Sequence, residues 1–576
     1  MTSYYTLFLF NETQLCNMIA WCYLREYIMK KYFVTLLLLT MGLASVCAGG
    51  KKEAMEESAQ SDNILHVMNQ AEVDSLDPQV TMSLAGFEVI ANFTDGLKQL
   101  DKNGATVNAL CKEEQVSDDG LVYTFTLRDD ATWSNGTPVT AADFVYGWRR
   151  GVDPAIASEY SYMFSAIGHV KNAAQIIAGE LPVEDLGIVA LDTYTLQVTL
   201  EVPVPYFDGL LYFVTFYPVN QAFCESCGDT YATSADTLLS NGAFIMDNYE
   251  PAANRFSLVK NPQYYDASRI SLDGLDYQIL KDSQQALMSY QNGDLDLIIL
   301  SGDQIDQVKE DPEYQSFGAG YLWYLCPNVS GSKEMANKNF RLAITNVLNR
   351  QSIVDDVTKD GSVPSYAMVP SGLSYDADGV DFTSSPDTYS AVCSDNIAKA
   401  QAYYKKAQAE LGEDTMELKF LVDDTSLQQN IAVVIKEQLE SAFPGLTVNL
   451  TVEPKKQRIA DSFAGNFDLV MTGWGPDYAD ATTYLSMFTT GNSVNFGQWS
   501  NADYDALIDE CMAGDLISKP AERLVALKKA EAIGMNEAVM MPLYQQSNAV
   551  MIKPNVTGVA FHPVALDRVF KDVVKQ

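Results

Sequence analysis

The clearest alternation of apolar and polar positions lies in the last third of the chain. Apolar side chains recur at every second residue over 416–422 and again over 446–452, as they do in half-buried β-strands. Between these segments, apolar residues from 431 to 443 recur at helical spacing. The mostly apolar run FDLVMT at 467–472 has the character of a strand that is covered on both faces. This order of strand, helix, strand, short helix and buried strand predicts an α/β domain.

Fewer elements can be predicted in the first two thirds of the chain. Pro203, Pro205 and Pro218 interrupt apolar residues there and favour edge strands or loops over helices. The other predicted elements are strands at 63–70 and 121–128, a helix that Thr140 and Asp143 cap at its start, and helices over 340–348 and 397–411.

The residues that follow the run at 467–472 are the strongest candidate for a binding site. In open α/β sheets, ligands bind just beyond the carboxyl ends of strands, and residues 473–477 occupy that place. Gly473 and Gly475 carry no side chain that would keep a ligand from the backbone. Trp474 offers an apolar wall, and Asp477 supplies a negative charge. A turn that ends the strand and carries a solvated aspartate has the same pattern, so the residues alone leave both interpretations open.

Length and charge limit the classes of function. At 576 residues the chain exceeds one ordinary core and is expected to divide into two or three domains. Hydrophobic residues make up 47% and charged residues 20%, which is the balance of a globular protein. The net charge of −37 argues against a nucleic-acid partner, because phosphate recognition needs a basic face.

The start of the chain has the signature of export. Residues 29–46 begin with Met-Lys-Lys and continue in an apolar stretch that is short for a membrane span of about 20 residues, as in a secretory signal peptide. Residues 1–28 are expected to be an extension upstream of the natural start. Cys47 resembles the lipid-carrying cysteine of bacterial lipoproteins, although Val46 stands where glycine or alanine is usual. Residues 47–60 would then be a flexible tether that holds the protein by its lipid alone on the outer face of the cell membrane, the periplasmic side where an outer membrane exists.

Cysteine and histidine give no strong signal of a metal or redox centre. Cys224 and Cys227 have redox-like or zinc-like spacing, but no second pair follows them. The three histidines, His66, His169 and His562, are scattered along the chain. A local disulfide and two free thiols both fit the cysteine spacing. We expect neither a metal ion nor a cofactor.

Six segments of the chain together resemble one protein family. They are SLDPQ (75–79), GLVYTFTLRDDATWSNGTPVTAADFVYGWRRGVDP (120–154), ALDTYTLQVTLEVPVPYF (190–207), SNGAFIMDNYE (240–250), VKNPQYYD (259–266) and FDLVMTGWGPDY (467–478). From about residue 63 to the C terminus, the chain is similar to the oligopeptide-binding branch of the extracellular solute-binding proteins of ABC importers, the peptide/nickel class. The motifs are long and occur in the family's order, which makes the resemblance specific.

The resemblance implies an α/β, two-lobed, periplasmic-binding-protein-like fold with a third, inserted domain and a hinged cleft between the lobes. The lobes would close over a ligand about two chain crossings near residues 320 and 542. The implied domains are domain I at 61–107, 240–320 and 543–576, domain II at 108–239, and domain III, the α/β ligand-binding lobe, at 321–542.

The resemblance also assigns roles to the loop after the buried run. In the family, the aspartate of Gly-Trp-x-x-Asp-Tyr holds the peptide's α-ammonium, and here that residue is Asp477. Backbone groups of Gly473 and Gly475 would pair with the extended peptide as a neighbouring strand does. Ammonium and main chain are common to all peptides, so these contacts give affinity without selecting side chains.

Five further positions follow from the same resemblance. Tyr160 or Tyr162 matches a stretch that lines the peptide in some members, although core packing explains these tyrosines equally well. Leu84 falls near a segment that pairs with the peptide's other edge, and Trp499 is a candidate wall of the cleft. Met471 stands where some members place the arginine that meets the ligand's carboxylate, so the binding of that end is undefined.

The expected function is capture of short peptides by a monomer without enzymatic activity, which delivers them to the membrane permease subunits of an ABC importer. Relatives with this fold bind nickel chelates, haem, oligosaccharides or signalling peptides, so another solute is the alternative. A hydrolase that uses Asp477 and Asp480 as paired carboxylates is a rival interpretation. No Ser/His/Asp or Cys/His set accompanies those acids, which disfavours it.

Overall fold

In this computed structural model of the chain, the structure describes residues 63–250, 253–375, 379–384 and 392–576. The predicted extension, signal peptide, Cys47 and tether lie outside the described residues. None of the helices within these described ranges combines the length and the apolar character that crossing a bilayer requires.

The described chain is a mixed α/β structure. Its strands, β1 to β21 in chain order, are Ile64–Asn69, Lys98–Leu100, Thr106–Asn108, Cys111–Val116, Val122–Leu127, Ile188–Ala190, Thr195–Thr199, Phe244–Asn248, Arg255–Lys260, Gly274–Ile279, Leu297–Leu300, Tyr314–Pro327, Val363–Pro364, Met416–Asp423, Leu446–Glu453, Leu469–Trp474, Met541–Ile552, Val556–Thr557, Ala560–Phe561, Arg568–Val569 and Val574–Lys575. Its α-helices, α1 to α15, are Leu84–Phe93, Ala141–Val152, Ala173–Ile177, Gln221–Cys227, Ser283–Asn292, Ile305–Val308, Lys333–Ala336, Lys338–Val347, Arg350–Ile353, Ile397–Leu411, Ser426–Ala442, Lys455–Ala464, Thr482–Leu485, Ala502–Met512 and Pro520–Glu537.

One large sheet runs through the described structure. Its strand order is β15-β14-β16-β12-β17-β11-β1-β10-β9-β8, and β13 pairs with β17 at one side. A separate antiparallel sheet, in the order β4-β5-β7-β6, lies within the segment predicted as domain II. The prolines at 203, 205 and 218 lie outside strands, in loops.

The last third of the chain folds as its pattern predicts. β14 and β15 pair in parallel along their whole length, from Met416 with Leu446 to Asp423 with Glu453. Their inward side chains pack with α11 in one hydrophobic core. The strand predicted over 467–472 begins two residues later, at Leu469, and extends two residues further, because Gly473 and Trp474 still pair with β12. The predicted N-cap of the helix after Thr140 is confirmed, since Thr140 and Asp143 form a capping box.

Two long strands, β12 and β17, carry the chain from one part of the large sheet to the other. They pair from Tyr314 to Gly318 and again from Leu322 onward, with an irregularity in the register between Gly318 and Leu322. Gly320 has φ of +66° at this irregularity, and a Cβ there would lie 2.0 Å from the carbonyl oxygen of Pro563, so only glycine fits. The predicted crossings near 320 and 542 lie on these strands. The division into three domains and the hinge stay predictions.

Candidate functional site

Asp477 lies three residues beyond the carboxyl end of β16. That strand pairs with β12 along its length, but with β14 only at Leu469 and Val470. The part of β16 that leads to Asp477 therefore lies beyond its pairing with β14. The geometry matches the expectation that the loop occupies the carboxyl edge of the sheet, where open α/β proteins bind ligands.

Asp477 is a partly buried carboxylate without a cationic partner. The phenol of Tyr162 donates a hydrogen bond to its Oδ2 at 2.8 Å. The backbone N–H of Asp477 donates to Oγ1 of Thr483 at 3.4 Å. Within the described residues, no lysine, arginine or histidine lies within ion-pair distance of it. Burial raises the pKa of Asp477 to about 6, and the hydrogen bond from Tyr162 opposes this rise. The site therefore holds an anion that a positively charged group would stabilise.

Asp480, three residues further on, has the opposite environment. Arg523 donates to both of its carboxylate oxygens, at 2.7 and 2.9 Å, and Thr482 donates two more hydrogen bonds. Burial alone would raise the pKa of Asp480, but the charge and hydrogen bonds of Arg523 and those of Thr482 lower it. Asp480 thus serves the local structure, which removes the pair of free carboxylates that a hydrolase would need.

A cavity of about 570 Å³ lies against Asp477, within the size range of small-ligand sites. Its walls come from all three predicted domains. Its lining residues are Asn69, Gln70, Ala71, Met82, Ser83, Leu84, Ala85, Phe87, Glu88, Tyr160, Phe213, Ile299, Ala319, Tyr321, Lys455, Trp474, Gly475, Pro476, Asp477, Gln546, Asn548, His562, Pro563, Ala565, Leu566, Asp567 and Arg568.

One wall of the cavity is strongly apolar. The rings of Phe87, Tyr160 and Phe213 contact one another, with centroids 5.0 to 5.4 Å apart. Met82 and Leu84 line the same cavity and are 55% and 50% exposed. Apolar side chains of a guest would bury this surface, whereas Asp477 would meet its charge.

The structure brings most of the predicted site residues together. Leu84, Tyr160, Trp474, Gly475 and Asp477 line the cavity, and Tyr162 contacts Asp477. Gly473 is not among the lining residues and sits one residue before the wall.

Trp499 and Met471 lie elsewhere. Trp499 is buried, packs edge-on against Tyr504 with ring centroids 5.1 Å apart, and does not line the cavity. Met471 is buried in the core of the α/β segment. Position 471 therefore does not supply the cavity with the arginine that some family members place there.

The two glycines at 473 and 475 also have a packing role. The ring of Tyr321 covers them, so that a Cβ would lie 2.2 Å from the ring at Gly473 and 2.8 Å at Gly475. The phenol of Tyr321 also donates to the carbonyl oxygen of Gly473 at 3.0 Å. Tyr321 therefore occupies the side of each glycine toward which a Cβ would point, whereas Gly475 still lines the cavity, and the pairing of this loop with a ligand's backbone stays a prediction. Sequence reasoning missed Tyr321, which lies more than 150 residues before the loop.

Another part of the cavity lining is polar. Sequence reasoning also missed this part. Arg568 donates to both oxygens of Glu88, at 2.7 and 3.0 Å, and to the carbonyl oxygen of Met68 at 3.0 Å. Both side chains of this ion pair are almost fully buried, and burial raises the pKa of Glu88 to about 7. Their separation in sequence leaves no local pattern that would have predicted the pair.

Cys224 and Cys227 lie on the short helix α4 and are free thiols, as are the other cysteines of the described residues. A metal ion would need a cluster of at least three His, Cys, Asp or Glu side chains, and the described ranges contain none.

The chain is similar in sequence and in structure to known proteins. Residues 105–496 match the family model for bacterial extracellular solute-binding proteins, family 5 (middle part). The chain is 35% identical over 509 residues, 86% of its length and 91% of the relative's, to a dipeptide-binding protein of Lactococcus lactis subsp. cremoris (strain MG1363). It is 28% identical, over 86% of its length and 90% of the relative's, to a probable deoxycholate-binding periplasmic protein of Escherichia coli (strain K12).

A solved structure of Listeria monocytogenes OppA bound to peptide superposes with a TM-score of 0.77 at 34% identity, covering 90% of this chain and 99% of that one. The expected mixed α/β fold with several domains is thereby confirmed. The chain belongs to the bacterial extracellular solute-binding proteins of family 5.

Proposed function

We propose that this protein captures short peptides in the cavity beside Asp477 and delivers them to the permease of an ABC importer. The observation that carries the proposal is Asp477 itself, a partly buried anion without a cationic partner in a cavity of about 570 Å³. The α-ammonium of a peptide is the cation that every unblocked peptide offers. The sequence is consistent with an exported monomer that binds its guest without turnover. Lipid on Cys47 would hold this monomer at the membrane.

The peptide would lie extended across the loop that ends β16. Its ammonium would pair with Asp477 and the phenol of Tyr162, and its backbone would lie between residues 82–84 and 473–475. Its side chains would contact the apolar wall described above. Main-chain and ammonium contacts do not depend on side chains, so the protein would accept varied sequences. Movement about β12 and β17 would open the cavity for entry and release.

Another solute is the second candidate, because one relative is described as a probable deoxycholate-binding protein. An anionic guest such as a bile acid would meet the charge of Asp477 unfavourably. Native mass spectrometry of the purified protein separates the two candidates. Masses of short peptides, released on denaturation, would support peptide capture, and a single non-peptide mass would contradict it.

Incubation of the protein with a defined tripeptide tests the absence of catalysis. We expect one peptide bound per protein molecule and no hydrolysis products by liquid chromatography. Release of free amino acids, retained after repurification and lost in Asp477→Asn, would contradict a purely binding function.

Peptide affinity is expected to depend on pH. Asp477 binds an ammonium only when it is ionised, and its pKa in the folded protein is about 6. The fraction of ionised Asp477 falls about tenfold between pH 7 and pH 5, so the dissociation constant should rise by about the same factor. Titration calorimetry at pH 7, 6 and 5 measures this dependence.

Asp477→Asn is the control for this pH dependence, because Glu88, with a pKa of about 7, lines the same cavity. In this variant, only the part of the pH dependence of peptide affinity that comes from titration of Glu88 should remain. An unchanged tenfold dependence in Asp477→Asn would show that Asp477 is not the titrating group.

A further inference from the structure

Tyr206 joins two segments of the chain that are predicted to belong to different domains. Its ring stacks on the ring of Tyr478, with the centroids 5.3 Å apart and 20° between the ring planes. The guanidinium carbon of Arg523 lies 5.4 Å from the centroid of the same ring, which is a cation–π contact. Tyr206 belongs to the segment predicted as domain II, whereas its two partners belong to the segment predicted as domain III. The ring therefore spans the boundary between two of the parts that enclose the cavity beside Asp477.

The loop that carries Tyr206 is restrained on both sides of this residue. Pro203 and Pro205 precede it and fix the backbone angle φ at two positions. Phe207, the next residue, is buried and packs on Tyr123 of β5, with the ring centroids 4.7 Å apart. One ring of this loop is thus held in the core of its own segment, while the neighbouring ring reaches the other segment. Because the loop is already ordered, the contact of Tyr206 costs little additional conformational entropy.

The surface that receives the ring of Tyr206 is also held in place. Tyr478 is buried, and it is the next residue in the chain after Asp477. Arg523 is fixed by its two hydrogen bonds to the carboxylate of Asp480, at 2.7 and 2.9 Å. The ring of Tyr206 therefore meets a well-ordered surface that is continuous with the loop of the proposed peptide site.

Tyr206 itself does not line the cavity beside Asp477. It lines a second cavity of about 290 Å³, whose lining also includes Leu524 and Leu527 of α15. A cavity of this size interrupts the close packing that is typical of a protein interior. The contact of Tyr206 with the segment predicted as domain III can therefore break and form again without disrupting a filled core.

We propose that Tyr206 is a positioning residue for peptide capture, whose ring holds the segments predicted as domains II and III together over a bound guest. This inference rests on the proposed function and deepens it. A contact that is present when these segments meet and lost when they separate favours the closed arrangement and slows the release of the guest. Because the ring lies outside the cavity that holds the guest, it should strengthen the binding of every peptide by the same factor.

The experiment compares wild type with Tyr206→Ala, Tyr206→Leu and Tyr206→Phe. Titration calorimetry with Leu-Gly-Leu, Ala-Ala-Ala and Phe-Gly-Phe gives the dissociation constants, and surface plasmon resonance gives the rates of release. Tyr206→Ala should weaken the binding of each peptide about tenfold, the factor that an aromatic pair and a cation–π contact provide together, and the loss should appear as faster release. Tyr206→Phe keeps the ring and should stay within about twofold of wild type, since stacking does not need the hydroxyl. Tyr206→Leu keeps apolar volume without a ring and should lose most of the factor, so it serves as the test if Tyr206→Ala does not fold.

Two controls separate this effect from a disturbance of the site. Tyr375→Ala removes an exposed tyrosine that lines the same smaller cavity, and it should leave the affinity within about twofold of wild type. The dependence of peptide affinity on pH, which is assigned to Asp477, should persist in Tyr206→Ala. Burial raises the pKa of the Tyr206 phenol above its usual value, so this group does not titrate between pH 5 and pH 7.

Three results would overturn this inference and leave peptide capture intact. They are wild-type affinity and release in Tyr206→Ala or Tyr206→Leu, a factor that differs between the three peptides, and an equal loss in Tyr206→Phe. Failure of wild type to bind these peptides and a random tetrapeptide pool would instead contradict the proposed function, on which the inference rests.

Discussion

Asp477→Asn is expected to weaken the binding of a short peptide at least about a hundredfold. The peptide's ammonium would then be held in a partly buried place without a counter-charge, and the loss of one partner from a buried ion pair costs about 3–5 kcal/mol. The lower end of that range applies, since Asp477 is only partly buried. Titration calorimetry with Leu-Gly-Leu measures the change, and Asp477→Ala should behave alike.

Two controls separate this loss from a general effect. Asp118→Asn neutralises an exposed carboxylate in the turn between β4 and β5 and should leave affinity unchanged. Asp477→Asn should unfold at the wild-type temperature or above it at pH 7. The pKa of Asp477 is raised above 3.8 in the folded state, so its ionised form lowers stability above about pH 6 and this cost vanishes below about pH 4. Near-wild-type affinity in Asp477→Asn would contradict the role assigned to the carboxylate.

Arg568→Met is expected to lower the free energy of unfolding by about 3–5 kcal/mol. Arg568 and Glu88 are nearly inaccessible to solvent, so the substitution leaves a buried carboxylate without its partner. The pair joins α1 to the C-terminal segment and spans 480 residues of sequence. Chemical denaturation, followed by circular dichroism, should show a clear shift of the midpoint.

Lys281→Met is the matched control for this prediction. Lys281 pairs with Glu72, and both side chains are mostly exposed, so the expected change lies below about 1 kcal/mol. If both variants shift the midpoint equally, the buried pair has no special role in stability. Glu88→Gln together with Arg568→Met should recover part of the loss, because the buried side chain at position 88 then carries no charge.

The elements that the sequence predicted well are those that local periodicity determines. The alternation over 416–422 and 446–452 matches β14 and β15 because each strand has one face against α11. The helix predicted over 397–411 has those bounds in the structure. In these segments, burial of one face specifies both the element and its register.

The site was predicted only in part, because its contacts join residues that are far apart in sequence. The hydrogen bond between Tyr162 and Asp477 spans 315 residues, and no local pattern distinguished it from core packing. The close packing of the Tyr321 ring on Gly473 and Gly475 could not be predicted, because it requires the pairing of β12 with β16. Trp499 shows the converse, since an aromatic residue in a polar segment became part of the core.

The most direct test of the account is a calorimetric cycle that combines N-acetylation of Leu-Gly-Leu with Asp477→Asn. Acetylation removes the peptide's positive charge, and the variant removes the charge proposed to meet it. The account predicts a loss of about a hundredfold on acetylation in wild type and less than about threefold in the variant. Equal binding of free and acetylated peptide to wild type, or an equal loss in both proteins, would contradict the claim that Asp477 binds the guest's ammonium.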